Sequence, residues 1–114
     1  MTTDRAYLLQ ILESIRRIEE DTSGGREAFM ASHTFQDAVL RNLQTMSEST
    51  QRLSSEVRAT EATVDWRLIG AFRNVLVHDY LGVDLEQIWV IVQANVPGLK
   101  AAVAEMLAGL SDGG

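Results

Sequence analysis

Apolar residues recur along this chain at steps of three and four, and each run is closed by its own cap or turn. Tyr7, Leu8, Ile11, Leu12, Ile15 and Ile18 form one stripe behind Asp4, which is placed to cap a first helix. Glu19-Glu20-Asp21 and the Ser23-Gly24-Gly25 turn end it. A short helix is expected over Arg26 to Ser32. Thr34 reads as the cap of a long second major helix, whose stripe runs Phe35, Ala38, Val39, Leu43, Met46, Leu53 and Val57. That stripe weakens over Ser47 to Gln51, positions suited to packing against something small or to a polar interface. Thr60 to Thr63 reads as a loop. Asp65 caps a third major helix through Trp66, Ile69, Phe72, Val75 and Leu76, and Gly82 supplies a stop or turn. Asp84 caps a fourth helix carrying Leu85, Ile88, Trp89 and Val92, which Pro97 breaks or kinks. Leu99, Val103, Met106, Leu107 and Leu110 mark a last segment, with Ser111 to Gly114 as a frayed tail. The pattern predicts an all-α fold: one domain over residues 1–114, an up-and-down bundle of four or five antiparallel helices joined by short loops.

Composition narrows the chemistry. The 114 residues include no cysteine, so disulfides, thiolate zinc sites and cysteine nucleophiles are excluded. Two histidines without a carboxylate cluster at ligand spacing argue against a metal site, and no cofactor is expected. No basic leader with an apolar run opens the chain, and no apolar stretch reaches the roughly 20 residues of a membrane span, so a soluble cytoplasmic protein is expected. The net charge of −6 argues against a general nucleic-acid binder but leaves room for a local cationic cleft.

The chemistry-bearing groups concentrate at Arg73-Asn74-Val75-Leu76-Val77-His78-Asp79-Tyr80. Buried helix faces rarely hold so many hydrogen-bonding groups, because each needs a partner. Residues five apart on a helix differ by about 140°, so Arg73 and His78 do not share a face of one regular helix, whereas Arg73 and Tyr80 nearly do. Two arrangements bring Arg and His to one cleft: the helix ends around His78 and swings the imidazole round, or two copies of a symmetric dimer share a groove. An imidazole there can take a proton from a ribose 2′-hydroxyl or protonate a leaving oxygen, and a guanidinium can hold the scissile phosphate. The competing interpretation is that Arg and His at a helix end serve only capping and dipole roles, with Asp79 as their partner and Tyr80 at the core edge.

The string RNVLVHDY followed by LGVDLEQIW resembles the signature of the HepT-like toxins of the HEPN superfamily: Arg, a polar residue, three residues, His, one residue, Tyr. Upstream TFQDAVLRNLQTMSEST, VDWRLIGAFRN and LLQILESIRRIEED, and downstream DLEQIWVIVQANVPGLK, resemble it too, covering about Tyr7 to Lys100. The resemblance implies a HEPN-like helical bundle that dimerises with the Arg–His motifs of two subunits along a common cleft. It implies a metal-independent ribonuclease, the toxin of a toxin–antitoxin pair whose partner is a nucleotidyltransferase antitoxin. That partner uses ATP to transfer AMP onto the motif tyrosine and so inactivates the toxin. By position, Arg73 and His78 would be catalytic, Asn74 supporting, and Tyr80 the modified residue. This chain departs from many relatives by having Asp79 and Leu81 flanking Tyr80. Asp79 puts a carboxylate beside His78, which favours the charged imidazole and repels RNA.

Arg41, on the second major helix, resembles part of a second polar patch of the family. It either assists phosphate binding at the dimer cleft or is a solvent-facing arginine, with Asp37 one turn earlier as an intrahelical partner. His33 reads as a surface residue, and Trp66 and Trp89 as anchors of the core or dimer interface. Gly70, inside the third major helix, suggests close approach of another helix. Beside the ribonuclease stands a second function, a non-catalytic helical module that docks and is modified by a nucleotidyltransferase; a third is a plain homodimeric bundle.

Overall fold

The structure is a computed structural model. It describes residues 3–78 and 84–112, with side chains over 4–72 and 84–110. The described residues form seven helices and no strand: α1 (Thr3–Thr22), α2 (Arg26–Ala31), α3 (His33–Gln51), α4 (Ser55–Ala59), α5 (Trp66–His78), α6 (Leu85–Ala94) and α7 (Val96–Asp112). The all-α class is as the periodicity predicts.

Three anchors set the directions of the long helices. Asp4, at the start of α1, accepts the Ser54 backbone N–H at 2.8 Å and the Ser54 hydroxyl at 2.7 Å, just beyond the end of α3. Ser47, late in α3, donates its hydroxyl to the Ile69 carbonyl in the first turn of α5 at 2.9 Å. Lys100, early in α7, pairs with Glu19 in the last turns of α1 at 2.9 Å. Each joins the start of one helix to the end of another it packs along, so α1/α3, α3/α5 and α1/α7 run antiparallel. α6 is not a fifth antiparallel member. It leads into α7 through a 41° bend at Asn95, and the two form one bent arm.

Phe29, Leu8, Ile11, Ile15, Ile18, Val39, Leu43 and Met46 are fully buried, together with Ile88 and Val103. The α1 stripe therefore enters the core as its spacing requires.

Four sequence readings shift. The cap of α3 is Ser32, not Thr34: the Ser32 hydroxyl accepts from the Phe35 N–H at 3.2 Å, and Gln36 donates to the Phe29 and Met30 carbonyls at the end of α2. The long second helix stops at Gln51. Leu53 and Val57 keep its apolar rhythm, but Leu53 lies in a bend and Val57 in α4, capped by Ser54. The Thr50 hydroxyl sits on the Ser47 carbonyl at 2.7 Å, and backbone bonds to the Ser49 and Thr50 carbonyls close the last turn at Arg52 and Leu53. Hydroxyl side chains compete here with the helical ladder. At the other end of the chain, α7 continues to Asp112, two residues into the segment read as a tail. Pro97 lies inside the first turn of α7, a place where its missing N–H costs no bond, and the break falls just before it.

The caps at Asp65 and Asp84 stand as read. Asp65 accepts from the Leu68 N–H at 3.0 Å, and Asp84 from the Glu86 and Gln87 N–H groups at 3.1 and 3.2 Å. No single helix among the described residues is long and apolar enough to cross a membrane.

Candidate functional site

Helix α5 carries Arg73, Asn74 and His78 of the candidate motif, and its first half is held at several points. Beyond the Asp65 cap, the Trp66 indole donates to the Arg58 and Glu61 carbonyls at 3.1 and 3.2 Å. This ties the helix to the α4 turn, and the ring itself is packed on the core. Ile69 and Phe72 are buried. Ser47 and Thr50 of α3 are also fully buried, and Ser47 reaches this helix, at the Ile69 carbonyl at 2.9 Å and the Gly70 carbonyl at 3.5 Å. The weak part of the α3 stripe is thus the polar seam against α5. Gly70 faces the Gln51 side chain of α3 within the same chain. The close neighbour expected at this glycine is thus found within the chain, as the tip of one flexible side chain.

The motif occupies the far end of α5. Arg73, Asn74 and His78 lie on the helix, and His78 is its last residue; Asp79, Tyr80 and Gly82 lie outside the described residues. Helicity that persists to His78 puts Arg73 and His78 about 140° apart round the axis and about 7.5 Å apart along it. Because α5 runs antiparallel to α3 from the Ser47–Ile69 contact, His78 stands about 13 Å further along, level with the first half of α3. The stretch from Arg73 to His78 thus lies toward the end of the bundle where α1 stops, α2 sits and α6 begins. That end is braced by Phe29 against Trp89, with ring centroids 5.5 Å apart, and by an ion pair between Arg26 and Glu86.

Arg41 is exposed on α3, and Asp37 is not its partner. It lines a groove of about 570 Å³ with Arg16, Arg17, Glu20, Asp21 and Asn42, between α1 and α3. Ser47, which marks the α5 side of α3, is about 120° away from Arg41 round the helix. Within one chain Arg41 therefore opens on the α1 flank and not beside α5.

Electrostatics in that groove are largely internally balanced. Glu13 accepts from Arg16 at 2.8 Å and Arg17 at 2.9 Å, and Arg16 also bonds Glu20 at 2.9 Å. The two guanidiniums hold the Glu13 carboxyl down at about 2, Arg16 contributing most, and Glu13 in turn raises Arg16 above its ordinary value. His33 is exposed at the start of α3. Among the described residues no three His, Asp or Glu side chains are grouped to hold a metal ion.

A family model described as Ribonuclease HepT-like matches residues 11–106. The chain belongs to the HepT-like ribonuclease family. Its curated relatives within and near the family include a Caldanaerobacter subterraneus subsp. tengcongensis protein provisionally named an RNase, 32% identical over 94% of this chain and 96% of that one. Another, provisionally named ribonuclease HepT, comes from Thermococcus cleftensis and is 33% identical over 82% of this chain and 86% of its own. A third, from Methanocaldococcus jannaschii, is named gamma-glutamylcyclotransferase and, provisionally, RNase. It is 35% identical over 90% of this chain, which spans only about half (47%) of that protein. No solved structure matches. The HepT-like match runs from the α1 stripe through α5 to late α7, so the motif lies well inside it.

Proposed function

We propose that the chain is a metal-independent endoribonuclease, the toxin of a toxin–antitoxin pair, acting in the cytoplasm as a homodimer. The observation that carries this is an Arg73–His78 motif on the terminal turns of α5 in a chain of the HepT-like ribonuclease family. The 140° divergence of the two residues favours a cleft shared by two copies, Arg73 and His78 reaching it across a two-fold axis.

In this reading one His78 takes the proton of a ribose 2′-hydroxyl, and the 2′-oxygen attacks the adjacent phosphorus. The bond from phosphorus to the 5′-oxygen breaks, and the His78 of the second copy gives that oxygen a proton. A 2′,3′-cyclic phosphate and a 5′-hydroxyl remain. Arg73 holds the phosphate and the charge growing on its oxygens, with Asn74 as a supporting donor. Asp79 favours the charged imidazole, which suits the acid role, and Arg41 serves a flanking phosphate. A nucleotidyltransferase antitoxin silences the site by transferring AMP: the Tyr80 hydroxyl oxygen bonds to the α-phosphorus of ATP, the bond from that phosphorus to the bridging oxygen breaks, and pyrophosphate leaves. Each AMP adds negative charge and bulk next to the arginine meant for RNA.

Expression of wild type, Arg73→Ala and His78→Ala side by side tests it. Wild type should arrest growth and leave RNA with cyclic-phosphate ends, in chelator as without it. The two variants should fold and do neither. Intact growth and uncut RNA with wild type would remove the nuclease.

The acidity of the chain, −6 overall, favours a second reading: a non-catalytic module that docks the nucleotidyltransferase and is modified on Tyr80. There, incubation with that enzyme and ATP adds AMP mass while His78→Ala changes nothing.

A further inference from the structure

The buried seam between α3 and α5 meets the backbone at the turn from which the motif grows. In an α-helix the carbonyl of residue i accepts the N–H of residue i+4. The Ile69 carbonyl is therefore the partner of the Arg73 amide, and the Gly70 carbonyl that of Asn74. Ser47 donates to the same two oxygens, at 2.9 and 3.5 Å. The Thr50 hydroxyl holds the Ser47 carbonyl at 2.7 Å, and the Gln51 amide reaches the Thr50 hydroxyl at 3.4 Å. This line of hydroxyls is fully buried at Ser47 and Thr50, within an apolar interface that by itself lets a helix roll or slide.

We propose that Ser47 is a positioning residue for the reaction: its hydroxyl pins the roll and axial register of α5 and so sets where Arg73 and Asn74 are presented. The proposal rests on the ribonuclease reading for its consequence in catalysis, and on the α3–α5 geometry alone for the clamp. The lever is short. With side chains extending about 5–6 Å from a helix axis, a 10° roll displaces a head group by about 1 Å. A misplacement of that size costs on the order of a hundredfold in rate. Apolar packing by Ile69 and Phe72 holds α5 to the bundle but does not select one roll angle that finely, whereas a directional bond to a fixed oxygen does.

The test compares Ser47→Ala with Ser49→Ala. Ser49 is a buried serine of the same helix whose side chain has no hydrogen bond among the described residues. In steady-state cleavage of a labelled mixed-sequence RNA oligonucleotide, Ser47→Ala should lower kcat by about tenfold to a hundredfold while KM stays within about twofold. Ser49→Ala should leave both near wild type. Equal kcat in the two variants, or a loss carried by KM alone, overturns the proposal. A second readout does not need the nuclease. In amide exchange by NMR, Ser47→Ala should speed Arg73 and Asn74 by about fivefold more than the α1 amides of Ile11 and Ile15, the scale of one lost hydrogen bond. Uniform acceleration across the bundle refutes the clamp. Wild type that cuts no RNA while exchange is selectively faster in Ser47→Ala would sink the ribonuclease reading and leave the clamp standing.

Discussion

Replacing Gly70 by alanine should stabilise the protein slightly, although the site looks occupied. A Cβ built on Gly70 would fall 2.5 Å from Gln51 Nε2 and 2.7 Å from its Cδ, contacts that no real methyl sustains. All three neighbouring atoms are the far end of one flexible side chain on an exposed residue, with no backbone behind them. Gln51 can swing into water at the cost of its long, 3.4 Å contact with Thr50, about 0.5 kcal/mol. Against that, alanine in a helix interior is favoured over glycine by about 1 kcal/mol. The net is about 0.5 kcal/mol in favour of the variant, or about 2–4 °C in melting temperature for a chain of this size. Thermal melts at one fixed protein concentration read it. In a Gln51→Ala background the full 1 kcal/mol should emerge, so the double-mutant cycle should return a coupling of about 0.5 kcal/mol. A drop of more than about 4 °C in Gly70→Ala would refute the reasoning. It would mean that α3 and α5 meet backbone to backbone and that glycine is needed for the approach itself.

Phe29→Ala should cost about 4 kcal/mol in urea unfolding, since it opens a cavity at a fully buried site and removes the ring against Trp89. A red shift of Trp89 fluorescence should accompany it, and a loss under 2 kcal/mol would show that the α2–α6 brace is not packed as described. Asp4→Ala should cost about 1 kcal/mol, because it strips both bonds that tie the α1 start to Ser54; Ser54→Ala should cost about the same and the pair should not be additive. Glu13 has a folded pKa of about 2, below the ordinary value near 4.5, so its stabilising contribution is present above the unfolded value and lost as pH falls from there toward 2. Glu13→Gln should therefore lie below wild type in urea midpoint at pH 7 and converge with it near pH 2, more closely still in 1 M salt. A gap that widened on acidification would contradict that assignment.

Hydrophobic spacing by itself determined the helical class, the α1 stripe, the caps at Asp65 and Asp84 and the break near Pro97. Those features depend on local rules: residues three and four apart share a face, and carboxylates accept from free N–H groups at a helix start. The candidate motif was equally legible, since Arg, Asn, His and Tyr among apolar neighbours are conspicuous in any context. The end of α3 was not. Leu53 and Val57 continue its rhythm in register, while Ser54 caps α4 and is held by Asp4, fifty residues away, which accepts hydrogen bonds from its hydroxyl and its N–H. The flank that Arg41 faces within the chain was not legible either, because helix periodicity says nothing about which side meets which neighbour. Tertiary packing put α5 on the Ser47 side of α3 and α1 on the other, and left Arg41 with Arg16 and Arg17. Ser47 gave only the signal of a weakened stripe. A serine's role is set by the oxygen within 3 Å of it, and that oxygen belongs to Ile69, twenty-two residues on, brought there by the fold.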